Sequence, residues 1–218
     1  AEGSRFDLWW NGNRWGDLLS PLSGMHNVLN AAGCIAAARG LGLTEADLRE
    51  GLRTFQGIRR RMEVRGVERG VIVIDDFAHH PTAIETTLAG ARERYPGRRI
   101  WALYEPRSIS SGRKEFEKDY ARAFRQADRV IIGPIFHRAR FETTYGIDQM
   151  MSVPALVEDL EQNGVLAEQV DDFDAIAETV ASEAEEEDVV IAMSSGAFGG
   201  IHEKILDRLR GVALEPDR

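Results

Sequence analysis

The 218-residue sequence predicts an α/β fold: a mostly parallel sheet with helices on both faces, preceded by a hairpin and two helices. Three observations predict it. From about residue 64, short and nearly continuous apolar runs (71–75, 99–104, 129–133, 165–170, 188–193) alternate with amphipathic segments, as expected of strands buried on both faces and crossed over by helices. The segments following several of these runs are polar, small or Gly-rich. Apolar residues make up 43% and charged residues 29% of the chain, a mixture able to build a packed core.

Taken in order, residues 1–23 read as a hairpin, with Phe6 to Trp10 and Trp15 to Leu19 flanking the turn signal Asn11-Gly12-Asn13. Residues 27–39 form an Ala-rich helix, ended by Gly40 and Gly42. Thr44-Glu45-Ala46-Asp47 resembles a capping box, and Leu48, Leu52 and Phe55 continue the second helix. Residues 1–60 alone hold little for a separate core. Beyond them the predicted order is strand 71–75, helix 81–94 with Pro81 in its first turn, strand 99–104, helix 114–126 and strand 129–133. An irregular stretch follows. Helix 153–162, strand 165–170, helix 172–185, strand 188–193 and helix 201–210 complete the chain. Cys34, on the Ala-rich helix, is expected in the core, and His137 and His202 at the surface or capping helices.

Composition excludes several classes. With 27 Lys+Arg against 36 Asp+Glu the net charge is −9, which repels phosphate backbones and argues against nucleic acid as a partner. No apolar run approaches the roughly 20 residues of a membrane helix. A single cysteine forms no internal disulfide and suits a reducing compartment. No segment of the sequence reads as a signal peptide, so none is expected. The chain starts with Ala1 rather than Met, as expected of one cut or processed from a longer polypeptide.

In a parallel sheet, ligands bind beyond the carboxyl ends of the strands. Asp75-Asp76-Phe77-Ala78-His79-His80-Pro81 offers carboxylates and imidazoles at such an end. These can cap a helix, contact a ribose or ligate a metal, and sequence favours a role without metal. Glu105-Pro106-Arg107-Ser108 places a guanidinium at another strand end, either to clamp a carboxylate or phosphate or to pair with Glu105. Ser194-Ser195-Gly196-Ala197-Phe198-Gly199-Gly200 joins the last strand to the last helix, and its glycines let backbone N–H groups approach an anion. It is not a phosphate-binding G-x-x-x-x-G-K-[ST] loop, and the chain contains none. His26 and Asn27 can cap the Ala-rich helix, Asn30 lies one turn further in, and Arg59-Arg60-Arg61 is either a solvated patch or a phosphate contact.

Three linked motifs carry a resemblance. Gly24-x-His26-Asn27-x-x-Asn30-Ala31-Ala32, Phe55-x-Gly57-x-x-Arg60-Arg61-x-Glu63 and Asp75-Asp76-Phe77-Ala78-His79-His80-Pro81-Thr82 resemble, in order and spacing, the Mur ligases, the ATP-dependent amide-forming enzymes of peptidoglycan assembly. The last segment is similar to the branch acting on UDP-N-acetylmuramate. Within it, Glu105-Pro106-Arg107-Ser108 and Met193 to Lys204 resemble the members that attach the tripeptide L-Ala-γ-D-Glu-meso-diaminopimelate during peptidoglycan recycling. Two departures are Ser195 where Asn is expected and Ala197 where Gly is expected.

The resemblance implies that residues 1–63 are the end of a central ATP-binding domain and residues 64–218 a C-terminal Rossmann-like domain. It implies a cytoplasmic enzyme of cell-wall biogenesis, using ATP and Mg²⁺ to activate the UDP-N-acetylmuramate carboxylate as an acyl phosphate that the peptide amine attacks. His26, Asn27, Asn30, Arg61 and Asp76 would contact the nucleotide. His79, His80, Arg107, Ser108, Ser194, Ser195, Gly196 and Phe198 would bind the tripeptide. Metal ligands, the phosphate-cradling loop and the catalytic set lie outside this chain on this reading, so the chain alone is expected to be inactive. Two alternatives stand beside it: a ligase adding L-alanine to the same sugar nucleotide, and a non-catalytic Rossmann-like binding module.

Overall fold

The computed structural model describes residues 3–211; residues 1–2 and 212–218, at the ends of the two expected segments, lie outside the described residues. The chain forms two compact units. One comprises the residues up to Ile58 with Ala89–Pro96, and the other Arg59–Leu88 with the residues from Gly97 onward.

In the first unit, β1 (Ser4–Trp10) and β2 (Asn13–Ser20) form an antiparallel hairpin. Asn11 and Gly12 both have positive φ, as a two-residue hairpin loop of the I′ type requires. Helix α1 (Met25–Gly40) is Ala-rich and buries only Ile35. Helix α2 (Glu45–Thr54) starts with the expected capping box between Thr44 and Asp47. The core of this unit is small: Trp15, Leu18, Ile35 and Leu48. Trp9 remains 66% exposed. Cys34 departs from its expected place in the core and is exposed, because α1 turns the residue next to it, Ile35, inward.

The second unit is built on a six-stranded sheet in the order β3-β4-β8-β5-β6-β7. Its strands are β3 (Glu63–Glu68), β4 (Val71–Asp76), β5 (Ile100–Tyr104), β6 (Arg129–Ile132), β7 (Leu166–Gln169) and β8 (Val189–Met193). All neighbours run parallel except β3, which pairs antiparallel with β4 at one edge. The helices are α3 (Pro81–Arg94), shared between the two units, α4 (Glu117–Phe124), α5 (Arg138–Tyr145), α6 (Val153–Gln162), α7 (Phe173–Glu183) and α8 (Ile201–Arg210).

Strand alternation divides the sheet into two buried faces. Val71, Val73, Trp101, Leu103, Ile131, Val190 and Ala192 meet Ile176 and Val180 of α7 and Ile205 and Leu209 of α8. On the opposite face Tyr104 meets Tyr120 and Phe124 of α4, each pair 5.3 Å between ring centroids. Helices therefore cover both faces, and the Rossmann-like α/β architecture stands.

Three elements differ from their predicted form. The residues of β3 were not predicted as a strand, for the alternation there is broken by a register shift between Val64 and Gly66, and the strand is half exposed. Helix α5 lies in the stretch expected to be irregular, and Phe141 is its buried residue. The helix predicted from 114 opens with a 3₁₀ turn at Lys114–Phe116.

Candidate functional site

The carboxyl ends of β4, β8 and β5 carry a connected group of charged side chains within the second unit. Glu105, directly after β5, is fully buried. One of its oxygens accepts the Ser194 hydroxyl at 2.5 Å, and the other faces Arg107 Nη1 at 3.4 Å. Ser194 Oγ also accepts the Gly196 N–H at 2.9 Å, so the loop after β8 is tied to the loop after β5. The Arg107 guanidinium lies over the Phe136 ring, with Cζ 3.8 Å from the centroid. Of the two readings of Arg107 from sequence, the geometry shows the pairing with Glu105; the guanidinium also stays partly exposed, with donor capacity left over.

Gly196 sits under this arginine. A Cβ built there would lie 2.0 Å from both Cδ and Nε of Arg107, so the glycine makes room for the guanidinium. Further along the loop Phe198 adopts φ 47°, a conformation rare for aromatic residues, and its buried ring meets Phe173 edge-on at 5.5 Å. Gly200, with positive φ, heads α8 without a side-chain cap. Ser195 and Gly196 are half-buried and Ala197 is exposed.

Arg60 closes the group from the other side. Its Nη2 donates to the carbonyls of Ser194 and Gly196 at 2.7 and 2.6 Å, and its Nε to Asp75 at 3.3 Å. Arg60 has φ 59° and Met62 φ 51°, so the chain turns sharply between them. That turn is held by Asp76, which is 2% exposed and accepts the Met62 N–H, the Ala78 N–H and the Thr87 hydroxyl at 2.8, 2.8 and 3.2 Å. Burial pushes the Asp76 carboxyl above the ordinary aspartate value against these donors. Asp76, expected at the ribose, is engaged by the chain itself, and Arg61 beside it is the exposed member of the pair.

Asp75 behaves oppositely. Burial works to raise it, but His202 first and then Arg60 outweigh that, and its carboxyl sits below the usual range. His202 Nε2 lies 3.4 Å from Asp75 Oδ1 without hydrogen-bond alignment. Expected at the surface or as a cap, His202 is instead 7% exposed. The N-terminal turn of α8 carries it under the carboxyl end of β4. Replacing it tests the coupling. A folded-state value below the unfolded one supplies stability above the unfolded value, lost as pH falls through the folded value. In His202→Gln, burial is left opposed chiefly by Arg60, and the Asp75 carboxyl rises. The acid unfolding midpoint is expected to move to higher pH, read by circular dichroism, and an unmoved midpoint would separate His202 from Asp75.

The histidines after β4 are anchored separately. The His79 carbonyl accepts from the Tyr120 hydroxyl at 2.9 Å, and the Tyr104 hydroxyl lies 2.9 Å from that of Tyr120. Burial pushes Tyr104 well up and Tyr120 up to about 12, so both phenols stay protonated as donors. His79 Nδ1 lies 2.9 Å from the Phe77 carbonyl, and His80 is exposed, edge-on to Phe116 at 4.9 Å. Ser108 accepts the Ser111 N–H at 3.0 Å and so shapes the turn after Arg107. In the first unit, the Asn27 amide donates to the Ser23 carbonyl at 2.7 Å, His26 is half-buried, and Asn30 is exposed at the rim of an apolar cavity of about 320 Å³. Among the described residues, no group of three or more His, Cys, Asp and Glu is arranged to hold a metal ion.

Sequence reasoning placed Arg107, Ser194 and Gly196 together. It missed Glu105 as the buried hub, Arg60 as the inward member of its triplet, and His202. For Glu105, the signal was a carboxylate immediately following an apolar strand.

The fold and these strand-end loops define a Rossmann-like α/β domain whose carboxyl edge is suited to an anionic ligand. The family profile for the Mur ligase glutamate ligase domain matches residues 60–196. The chain belongs to the Mur ligase family. It is 37% identical, over 96% of its length and 43% of the relative's, to the UDP-N-acetylmuramate–L-alanyl-γ-D-glutamyl-meso-2,6-diaminoheptandioate ligase of Escherichia coli. It is 36% identical, over 88% of its length and 39% of the relative's, to the UDP-N-acetylmuramate–L-alanine ligase of Acetivibrio thermocellus. The crystal structure of a murein peptide ligase from Psychrobacter arcticus superposes with TM-score 0.66 and 31% identity, covering 99% of this chain and 44% of that one. The chain thus spans less than half the length of the curated relatives it matches. Among the described residues, no helix is long and apolar enough to cross a membrane.

Proposed function

We propose that this chain is the amine-delivering part of an ATP-dependent ligase that joins L-Ala-γ-D-Glu-meso-diaminopimelate to UDP-N-acetylmuramate through an acyl phosphate. The observation that carries the reading is Arg107, held between buried Glu105 and Phe136 over Gly196, a preset fork for a peptide carboxylate. The Escherichia coli relative, named as the ligase of this sugar nucleotide and this tripeptide, supports it across nearly the whole chain.

On this reading Arg107 and Ser108 clamp the peptide, and His79, His80 and the Ser194–Phe198 loop line its path. The same reading assigns His26, Asn27, Asn30 and Arg61 to ATP, with Asp76 holding the Arg61–Met62 turn in place. When bound, ATP with Mg²⁺ would supply the phosphoryl group that activates the UDP-N-acetylmuramate carboxylate; among the described residues no cluster is arranged to hold the ion. What this chain contributes is position. The amine must arrive neutral and in line with the acyl carbon, where its nitrogen forms the amide bond, phosphate leaves and the amine proton is released. A carboxylate clamped at a fixed distance from that nitrogen restricts its approach.

The test is phosphate release by the longer ligase containing this chain, with UDP-N-acetylmuramate, ATP and Mg²⁺, comparing tripeptide with L-alanine. Turnover with tripeptide is expected, and Arg107→Ala should raise its KM at least tenfold with the KM for ATP unchanged. Turnover with L-alanine alone would move the protein to a second reading, favoured by the near-equal identity to the Acetivibrio thermocellus relative. Silence from the folded protein with both would favour a binding module. The 218-residue chain alone is expected to show no ATP-dependent ligation.

A further inference from the structure

Gly196, which makes room for Arg107, has no side chain to hold it in place. Glycine has more backbone freedom to lose than any other residue, so bonds to its peptide groups must fix the loop. Its N–H is held by Ser194 Oγ, which Glu105 holds in turn. Its carbonyl is held from outside the loop: Arg60 Nη2 donates to it at 2.6 Å and to the Ser194 carbonyl at 2.7 Å. One guanidinium nitrogen thus spans the two carbonyls on either side of Ser195. The backbone of Arg60 is pinned without help from this side chain. Its N–H donates to Glu63 at 2.8 Å, and its carbonyl accepts the Phe77 N–H at 2.8 Å. The guanidinium lies over the Phe77 ring, with Cζ 5.1 Å from the centroid, and its Nε donates to buried Asp75. His202, in the first turn of α8, stands 3.4 Å from the same carboxylate. Asp75 therefore faces both the side chain that holds the start of the 194–200 loop and a residue just past its end. A buried carboxylate needs such partners to offset its lost hydration, and here both belong to the anchorage of one loop.

We propose that Arg60 is a positioning residue for peptide binding: it holds the Ser194 and Gly196 carbonyls so that Gly196 stays clear of Arg107 and the Arg107 guanidinium keeps its place over Phe136, with Asp75 holding Arg60 to that task. The proposal rests on the peptide-ligase reading. Arg60 touches neither peptide nor nucleotide on this account; its effect passes through Gly196 to Arg107. The three arginines in a row divide accordingly. Arg60 is the half-buried one and reaches the loop, while Arg59 and Arg61 are exposed. The residue type fits the task. A guanidinium offers several donors in a rigid plane, so one side chain reaches two carbonyls and a carboxylate at once, which the single ammonium of a lysine does not reproduce.

The experiment uses the longer ligase, with Arg60→Ala and Arg60→Lys each made alone and together with Arg107→Ala. The φ of 59° at Arg60 strains alanine and lysine as it strains arginine, so neither change adds backbone strain. Arg60→Ala is expected to raise the tripeptide KM about tenfold, while kcat at saturating peptide changes far less and the KM for ATP stays unchanged. In the Arg107→Ala background it is expected to add nothing. Arg60→Lys keeps a cation beside Asp75 and is expected to restore part of the loss. It also carries the test if the alanine variant does not fold, with a tripeptide KM raised about threefold and no further rise without Arg107. An unchanged tripeptide KM in a folded variant overturns the proposal. So does an equal rise in the KM for ATP, which would mean that Arg60 acts through Arg61. Additive effects with Arg107→Ala overturn it as well, because Arg60 would then reach the peptide by another route. A wild-type enzyme that turns over L-alanine and ignores the tripeptide overturns the peptide-ligase reading itself, and the proposal falls with it; that wild-type control tells the two failures apart.

Discussion

Gly196→Ala is expected to raise the KM for the peptide by about 10- to 100-fold while leaving the KM for ATP and the melting temperature nearly unchanged. The added methyl would overlap Cδ and Nε of Arg107 at 2.0 Å, a separation no packed atoms tolerate. The backbone of Gly196 lies outside the left-handed region, so alanine fits its conformation. The group that gives way is the outer part of a flexible side chain, not the sheet. Arg107 then leaves the Phe136 face and Glu105, and on the proposed peptide-ligase reading the peptide loses a charge-assisted contact worth about 1.5–3 kcal/mol, which is the stated range of affinity. A double-mutant cycle makes the route explicit. If Gly196→Ala acts only by displacing Arg107, it adds nothing in an Arg107→Ala background. Additive effects of the two changes would instead mean that the loop backbone itself contacts the ligand. A loss of melting temperature comparable to that of a core substitution would mean that the loop, not the arginine, had moved.

That a glycine controls an arginine 89 residues away is invisible along the chain, and the same holds for much of this site. The central parallel strands were legible because both their faces are buried, so Val71 to Ile74 or Val189 to Ile191 are apolar without interruption. β3 was not legible because it is an edge strand: Val64 and Val67 are exposed, and the shift at Gly66 breaks the two-residue period. Its register is set by pairing with β4, a partner met only on folding. Helix α5 buries Phe141 alone and so carries no amphipathic stripe. Within the site, Arg107, Ser194 and Gly196 could be found because position after a strand is itself the signal. Arg60 could not be told from Arg59 and Arg61, for what distinguishes it is a pair of carbonyls at Ser194 and Gly196, more than 130 residues away. Nor could His202 be assigned, because its burial depends on the turn of α8 against β4 rather than on any neighbour in sequence.

Asp76→Ala is expected to destabilise the second unit by about 2–4 kcal/mol, the largest effect on stability of any single change at this site. The carboxylate satisfies two backbone N–H groups and the buried Thr87 hydroxyl, and each donor left without a partner costs about 1–3 kcal/mol. Part of that is offset, because the substitution also removes a carboxylate whose charge is disfavoured by burial. At the scale of a protein of this size, the loss corresponds to a fall of roughly 5–15 °C in melting temperature. The pH dependence gives a sign that a cavity alone would not. A carboxyl raised in the folded state takes up its proton at higher pH than in the unfolded chain, so the wild type gains stability as pH falls through the folded value toward the unfolded one near 3.9. The alanine variant lacks that gain, and the gap between the two proteins should widen on acidification across this window. A gap that narrows there would place Asp76 among the carboxylates lowered by their partners, as its neighbour Asp75 is. The same variant tests the turn. With the Met62 N–H released, the constraint on the 60–62 backbone is lost, and the contact of Arg60 with the Ser194 and Gly196 carbonyls is expected to loosen. Thr87→Val removes only the hydroxyl donor and leaves Met62 and Ala78 satisfied, so it should cost about 1 kcal/mol and leave the turn in place.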